Sequence, residues 1–544
     1  MLTKTIVMLA VGGSVAAIIS LAAQPLSAQT SSESKEIEEL RREVAELRQE
    51  VASLKRREAP APKVTAEGPS KTEINYDGKT YVEKTVPLEK SAADKWKLST
   101  SITELELYGD VRLRYNYVGG ETKDRGPVAS PGAGVAGTND WIERERERYR
   151  LRLGLRGTLL DDWFFGIRLE TNQNPRSTNV TFGADSSSSS PGGGGPFAKG
   201  DDGINVGQAY AGYKGFPDFT FTGGKMPNPL VTTRMVWDPD INPEGLAEQW
   251  KHTFTFNIGG GGGEAAQGYS KEGKGIVAAQ NEPFKLKLDL FANFAQFVYD
   301  DSNPENPLGA RATTTANGGT QLVPNTDAFL LAWQVGGRLT FPNNVYFQVA
   351  PVLYNYTGNG DTFNVHFQGG SPYLTNSASV AQNQTGINSL LVLEVPMEVG
   401  WKLWGLPMRI FTDFATNFQG DDRADAAGQF GQGSQRYAYL AGLGIGQLKA
   451  KGDWQVDVWY QHAEQFSLDP NLIDDDIFNA QLNMHGVAVQ ATYNLTAAVN
   501  LALTYAHGWW YNHNLGTGGV GAQATGINPT AEYNWFTADL NVKF

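Results

Sequence analysis

The 544-residue chain has no cysteine and only 6 histidines. Beyond its first 28 residues, no apolar run approaches the ~20 residues that a membrane-spanning helix requires. The missing cysteine excludes a disulfide scaffold and any thiolate metal site. The histidines stand singly at positions 252, 366, 462, 485, 507 and 513. No metal-ligand spacing, nucleophile elbow or glycine-rich phosphate loop accompanies them. No catalytic residue, metal site or cofactor is therefore expected, and the chain reads as a non-enzyme. Charge is also scarce: Asp, Glu, Lys and Arg together make up 19%, and a net charge of −13 argues against nucleic-acid binding. The sequence is instead rich in glycine, at 62 residues, with aromatics at 11%. That balance suits many strands joined by Gly-rich loops, with rings left over for girdles at strand ends.

Met1 to Ala28 carries Lys4, an apolar stretch from Ile6 to Ala23 and a small-residue exit at Leu26-Ser27-Ala28. It reads as a cleaved secretory signal, and no cysteine follows it to take a lipid anchor. From Glu36 to Lys55, Ile37, Leu40, Val44, Leu47, Val51 and Leu54 recur at alternating spacings of three and four. Glu36, Glu43 and Glu50 stand at g positions, and Arg41, Arg48 and Lys55 at e positions of a parallel neighbour, so residues 29–58 are expected to form a helical coiled-coil segment. A single amphipathic helix is the alternative. Branched residues at a with Leu at d favour a dimer. Ala59-Pro-Ala-Pro62 stops the helix, and residues 59–104 read as a linker, periplasmic if a barrel follows. Within it, Tyr76-Asp-Gly-Lys79 is suited to turning a small hairpin.

From Leu105 onward, alternating segments recur. The first apolar face is Leu105, Leu107, Val111, Leu113, Tyr115 and Tyr117. The second is Tyr149, Leu151, Leu153, Leu155 and Gly157, and the third Trp163, Phe165, Ile167 and Leu169. Thirteen more are expected near 204–214, 219–226, 248–257, 284–299, 327–341, 345–356, 387–402, 407–418, 435–448, 454–465, 481–493, 498–508 and 533–544, making about sixteen. Connections alternate short and long, as they do when the turns at one end of a membrane barrel are tight and the loops at the other are extended. The stretch 258–283 breaks this rule, being long and Gly-rich where a short turn belongs. A soluble sandwich or propeller is the rival, and no blade repeat supports it. Trp141, Trp163, Trp401 with Trp404, Trp454, and Trp509 with Trp510 cluster at strand ends, where interfacial girdles would lie. The expected class is an all-β transmembrane antiparallel barrel over 105–544, preceded by the coiled-coil segment.

In the stretch Glu143 to Arg156 the apolar band starts at Tyr149 on odd positions, so Arg144, Arg146, Arg148, Arg150, Arg152 and Arg156 point the other way, into the lumen. Arg112 and Arg114 on the first strand and Arg168 on the third share that face. Two readings stay open. The column gives a local positive field that favours anions or aligns polar solutes, or it is neutralised by Asp110, Glu170, Glu394, Glu398, Asp413 and Asp457.

The third long connection, Met226 to Gly245, is stiffened by Pro227, Pro229, Pro239 and Pro243. It mixes apolar residues with Arg234, Asp238, Asp240 and Glu244, a composition that fits an ordered loop resting against protein. Its motifs Gly-Lys-Met-Pro-Asn-Pro (224–229) and Trp-Asp-Pro-Asp-Ile-Asn-Pro-Glu-Gly-Leu (237–246) resemble the bacterial "putative porin" family of outer-membrane barrels, and the layout agrees over roughly 100–544. The resemblance implies a passive channel for small hydrophilic solutes or ions in the bacterial outer membrane. It also implies a third loop folded inward as a constriction bordered by those four charged residues, and a homo-oligomer, commonly a trimer. On the residues alone, Asp238 and Asp240 can equally serve to cap turns beside Pro239. The end of the chain, with Thr537, Val542 and Phe544, is similar to the recognition signal of such barrels. Asp539 departs from it by replacing a frequent Gly. The resemblance assigns Phe544 to recognition by the barrel insertion machinery. The alternative function is a structural tether that links the outer membrane to the cell wall through the coiled coil.

Overall fold

A strand with one apolar and one polar face needs both faces matched to their surroundings, and a closed sheet achieves this without leaving an unpaired edge. The computed structural model describes residues 70–76, 81–87, 101–121, 142–172, 177–183, 203–258, 284–301, 306–314, 320–358, 387, 389–426, 429–515 and 530–544. The chain forms two compact units, Met1–Leu98 and Ser99–Phe544. In the first, Ser70–Tyr76 pairs antiparallel with Tyr81–Pro87, and Tyr76 lies opposite Tyr81, so the hairpin expected at Tyr76–Lys79 has its two arms. The signal segment, the heptads of 36–55 and the long connection 259–283 lie outside the described residues.

The second unit is a closed antiparallel barrel of sixteen strands. They are β1 (Ile102–Glu121), β2 (Ile142–Leu159), β3 (Trp163–Asn172), β4 (Gly203–Tyr213), β5 (Phe219–Lys225), β6 (Glu244–Ile258), β7 (Phe284–Asp300) and β8 (Ala328–Thr340). There follow β9 (Tyr346–Val349 and Val352–Thr357), β10 (Leu391–Glu394 and Met397–Leu403), β11 (Leu406–Asn417) and β12 (Tyr437–Gly446). The last four are β13 (Trp454–Ala463), β14 (Met484–Asn494), β15 (Val499–Trp510) and β16 (Glu532–Lys543). Each strand pairs with the next, and β16 closes on β1 from Glu532 opposite Glu121 to Lys543 opposite Asp110. Past that register, Gly109 N donates to Phe544 O at 2.9 Å and Phe544 N to Gly109 O at 3.1 Å. A Cβ on Gly109 would sit 2.7 Å from the Phe544 ring, so a residue without a side chain lets the ring lie against β1.

The apolar faces point outward: Leu107, Leu113, Leu151, Leu153, Leu155 and Ile167 are 39–59% exposed. Water would penalise so continuous an apolar band, whereas hydrocarbon matches it. Among the described residues no helix is long and apolar enough to cross a membrane. Trp163, Trp404, Trp454 and Trp509 are exposed at strand ends, and Trp141 lies outside the described residues.

Short turns gather at one end. Trp404 and Gly405 both have positive φ, 51° and 82°, the geometry of a two-residue hairpin turn. Leu160–Asp162 is a single 3-10 turn. The loops at the other end are mostly longer, and two of them carry structure that the sequence pattern did not suggest. A hairpin of Asn306–Thr314 with Thr320–Asn325 occupies the fourth, and a helix, α1 (Gly420–Ala426), the sixth. β1 and β2 also extend further than their apolar bands, since Tyr117 to Gly120 still pair with Glu145 to Ile142. The backbone ladder continues where the side chains are no longer lipid-facing.

β9 and β10 are each interrupted at a proline, Pro351 and Pro396, which cannot donate to a ladder. The gap is closed by irregular bonds, Ala350 N to Pro396 O at 3.1 Å and Val395 N to Phe414 O at 2.7 Å. The Gln334 amide donates to the freed Ala350 O at 3.0 Å.

Candidate functional site

Strand register decides which charges meet. On the inward face, β1 and β2 set Asp110 opposite Arg152, Arg112 opposite Arg150, Arg114 opposite Arg148 and Asn116 opposite Arg146. Directly opposed like charges are unfavourable, so nearby carboxylates are needed. Asp110 supplies one, 2.7 Å from Arg150 and 2.6 Å from Arg152. Asp539 on β16 supplies another by accepting two bonds from Arg114, at 2.7 and 2.9 Å. The residue that departs from the terminal signal is thus an arginine partner. Arg156 pairs with Glu106 at 2.6 Å, Arg168 with Glu170 at 2.8 Å, and Arg409 with both Glu398 and Asp457.

The rest of the column is held by neutral partners. Arg112 donates to Asn541 at 2.9 Å, Arg146 to Asn116 at 2.6 Å, and Arg148 to Ser177 and to the Asn179 carbonyl. Asp475 lies within Coulomb reach of Arg146, and Asp475 and Asp476 within that of Arg148. The column is thus paired with carboxylates in one part and hydrogen-bonded to neutral groups in another. Arg114, Arg148 and Arg150 are buried, Arg112, Arg144, Arg146, Arg152 and Arg168 partly exposed, and Arg156 exposed.

The third long connection, L3 (226–243), turns against the barrel wall where the prolines break the ladder. Val231 N donates to Gln334 Oε1 at 2.9 Å, and Gln334 Nε2 returns a bond to Val231 O at 2.8 Å. Asn293 Nδ2 donates to Pro229 O at 3.1 Å. Glu394 Oε1 accepts from the Thr232 hydroxyl at 2.7 Å and from Thr233 N at 3.2 Å, while the Thr233 hydroxyl donates to Asp413. Met226, Leu230, Met235, Val236 and Trp237 are buried, with the Trp237 ring stacked on Tyr354. Gln334, Glu394, Asp413 and Tyr354 escaped the sequence reading as anchors. Their available signal was polar residues on the inward face of β8 to β11, on the two strands broken by proline and on the strands beside them.

Of the four charged residues expected in L3, Asp240 faces the column, 3.6 Å from Arg150 and 3.7 Å from Arg152. Arg234 is 46% exposed and lies 3.7 Å from Asp474. Asp238 is buried, and its Oδ1 accepts from Asp240 N at 2.8 Å, the turn-capping contact foreseen beside Pro239. Glu244 begins β6 and pairs with Lys225 at 2.9 Å, at the foot of the loop rather than its tip.

A second loop, unanticipated, packs against L3. L7 (464–483) buries Phe466, Leu468, Leu472, Ile473, Ile477, Phe478 and Leu482. It is tied to L3 by Asp238 N to Leu472 O at 2.6 Å and Asp474 N to Arg234 O at 3.2 Å. Its run Asp474-Asp-Asp476 meets the column, with Asp476 2.8 Å from Arg114. Burial and the neighbouring Asp474 and Asp475 raise the Asp238 carboxyl above its ordinary range, and burial pushes Asp474 up to about 7. Asp476 is held low by Arg114 against the same burial. Seven large apolar residues in the connection between β13 and β14 were the signal that L7 packs on protein.

Elsewhere, strand pairing brings His462 opposite His485, with ring centroids 6.1 Å apart among Tyr439, Tyr460 and Tyr511.

The family described as "Putative porin" matches residues 22–399 of the chain. No curated protein matches it. Among solved structures, Pseudomonas putida OprB at high pH aligns at 10% identity over 81% of this chain and 94% of its own, with a TM-score of 0.39. The outer-membrane channel DcaP of Acinetobacter baumannii aligns at 11% identity over 82% and 99%, with a TM-score of 0.35. Salmonella typhi OmpF, in complex with daunomycin, aligns at 8% over 81% and 97%, with a TM-score of 0.36.

Proposed function

The chain belongs to the "Putative porin" family, and on that premise we propose that this channel passes small hydrophilic solutes passively through a lumen lined by the arginine column and narrowed by L3. It is a barrel of the bacterial outer membrane, and a channel rather than an enzyme. Sixteen strands enclose more space than wall side chains fill, so width alone gives little discrimination and a loop has to supply it. The observation that carries the reading is the anchoring of L3 to Gln334, Glu394 and Asp413 on the inward wall, with Asp240 turned toward Arg150 and Arg152. Arg112, Arg114, Arg146, Arg148, Arg150, Arg152, Arg156 and Arg168 line the path. Arg234, Asp238, Asp240 and Glu244 border its narrow zone, with Glu244 at the outer margin. The part of the column bonded to Asn541, Asn116 and Ser177 favours anions, and the ion-paired part orients dipolar solutes across the path.

Residues 1–28 act as the export signal, 29–58 join subunits, and Phe544 marks the chain for insertion. The assembled form is a homotrimer, in which subunits already held together raise the effective concentration of short heptads. The heptad register of 36–55 also favours a second role, attachment to the cell wall. Purified protein in planar bilayers is expected to give stepwise conductance. A folded barrel that never conducts would leave the tether as the function.

A further inference from the structure

We infer that the inward wall on the short-turn side of L3 carries a binding band for neutral sugars, built on the half-buried rings of Tyr108, Phe164, Tyr210, Phe291, Tyr346 and Phe411. The inference deepens the channel reading and rests on it. Each ring lies against a glycine of a neighbouring strand: Tyr108 on Gly154, Phe164 on Gly212, Tyr210 on Gly166, Phe291 on Gly336, Tyr346 on Gly400 and Phe411 on Gly442. A Cβ on any of these glycines would stand 2.2–2.4 Å from a ring atom, so the wall is left bare for the rings to rest on it. From β7 to β12, ring and glycine alternate strand by strand. The register also fixes the height of the band. Gln208, Asn293 and Asp413 bond L3 through Asn242, Pro229 and Thr233. Tyr210, Phe291 and Phe411 stand two residues further along the same inward faces, toward the end where the short turns gather.

Covering a glycine accounts for one face of a ring. The other face of a half-buried ring is an apolar surface on a wet wall, the kind of feature that marks a ligand groove. Guanidiniums rest over three of the rings, Arg156 over Tyr108 at 5.1 Å, Arg338 over Tyr346 at 3.6 Å and Arg409 over Phe411 at 4.8 Å. Among the described residues none rests over Phe164, Tyr210 or Phe291. A sugar has an apolar face of C–H groups and a rim of hydroxyls, so it needs an aromatic platform with donors and acceptors beside it. Those stand in a connected row: Tyr346 and Arg409 donate to Glu398, and Arg409 and Gln455 donate to Asp457. Charge selects the neutral solute. Arg156 is paired with Glu106, Arg168 with Glu170, and Arg409 with both Glu398 and Asp457. These four carboxylates balance the three arginines and Arg338 together, so the band offers hydrogen bonds without the field that would favour an anion.

Full-length protein in a planar bilayer is titrated with maltotriose, and saturation-transfer NMR on the protein in detergent follows the same sugar without needing conduction. Maltotriose should lower the step current saturably, with half-block at about 1–50 mM and no change between about 0.1 M and 1 M salt, because a neutral solute is not screened. Polyethylene glycol of equal mass should lower the current only in proportion to its concentration. Tyr210→Leu with Phe291→Leu should raise the half-blocking concentration at least about fivefold, whereas Tyr210→Phe with Phe291→Tyr, which keeps both rings, should hold it within about twofold. Phe221→Leu, which removes an exposed ring of the outward face, should be blocked as the parent is. Transfer to maltotriose in a barrel that never conducts would support the band and overturn the channel. A conducting parent with neither saturable block nor transfer would overturn the band alone. Block of the double Leu variant at the parent's concentration would also overturn it, as would stronger block by benzoate than by maltotriose, which would give the rings to aromatic anions.

Discussion

Replacing Arg146 and Arg148 together by Gln removes two guanidiniums hydrogen-bonded to Asn116, Ser177 and the Asn179 carbonyl, whereas the double change Arg150→Gln with Asp110→Asn removes a pair that sums to zero. An ion passing at ~8 Å interacts with each such guanidinium by roughly 0.5 kcal/mol in water before screening. A screening length of ~10 Å at 0.1 M reduces this to about 0.2 kcal/mol, and ~30 Å at 0.01 M to about 0.4 kcal/mol. Cations gain what anions lose, so loss of both charges should raise the cation-to-anion permeability ratio about fivefold at 0.1 M and about fifteenfold at 0.01 M. The neutral-pair deletion should move it less than about twofold at either salt. Reversal potentials in planar bilayers under a salt gradient read both ratios. Equal shifts in the two double variants would refute the division of the column. An unchanged ratio at 0.01 M after removal of Arg146 and Arg148 would mean that Asp475 and Asp476, within Coulomb reach of Arg148, already cancel its field.

Gln334→Ala deletes the side chain bonded to both polar backbone atoms of Val231 and to Ala350 O, so L3 anchoring should weaken by about 1–3 kcal/mol. Larger and noisier single-channel steps from a normally folded barrel are expected, and unaltered traces would count against the anchor. Phe544→Ala should reduce the amount inserted in cells and leave the conductance of inserted channels as it was; normal insertion would contradict the role given to the terminal ring. Deleting residues 36–55 should spare conductance while weakening oligomers in crosslinking, and full loss of conductance would show that the segment serves the channel itself.

The strands were legible because lipid on one side and water on the other impose a period of two that local sequence carries unaided. Even β9 and β10 were found, although Pro351 and Pro396 break their ladders, since the alternation resumes beyond each proline. The arginine column was legible for the same reason. Its division was not, because the partner of Arg114 is Asp539, and that contact exists only once β16 closes on β1. L3 declared itself through its prolines and mixed charges. L7 did not, since its seven buried apolar residues follow no strand or helix period and acquire partners only from other parts of the chain, among them L3 and Ala424 of α1.

The account stands most directly on L3 bordering the conducting path, and the cysteine-free sequence offers a clean probe of it. Arg234→Cys places a single thiol on the loop at a side chain that is 46% exposed. Single-channel conductance is recorded in a planar bilayer before and after a bulky, charged thiosulfonate reagent is added. An abrupt drop in step size with each modification, absent in the cysteine-free parent, is the predicted result. Complete labelling, verified by mass, with step size unchanged would contradict the account.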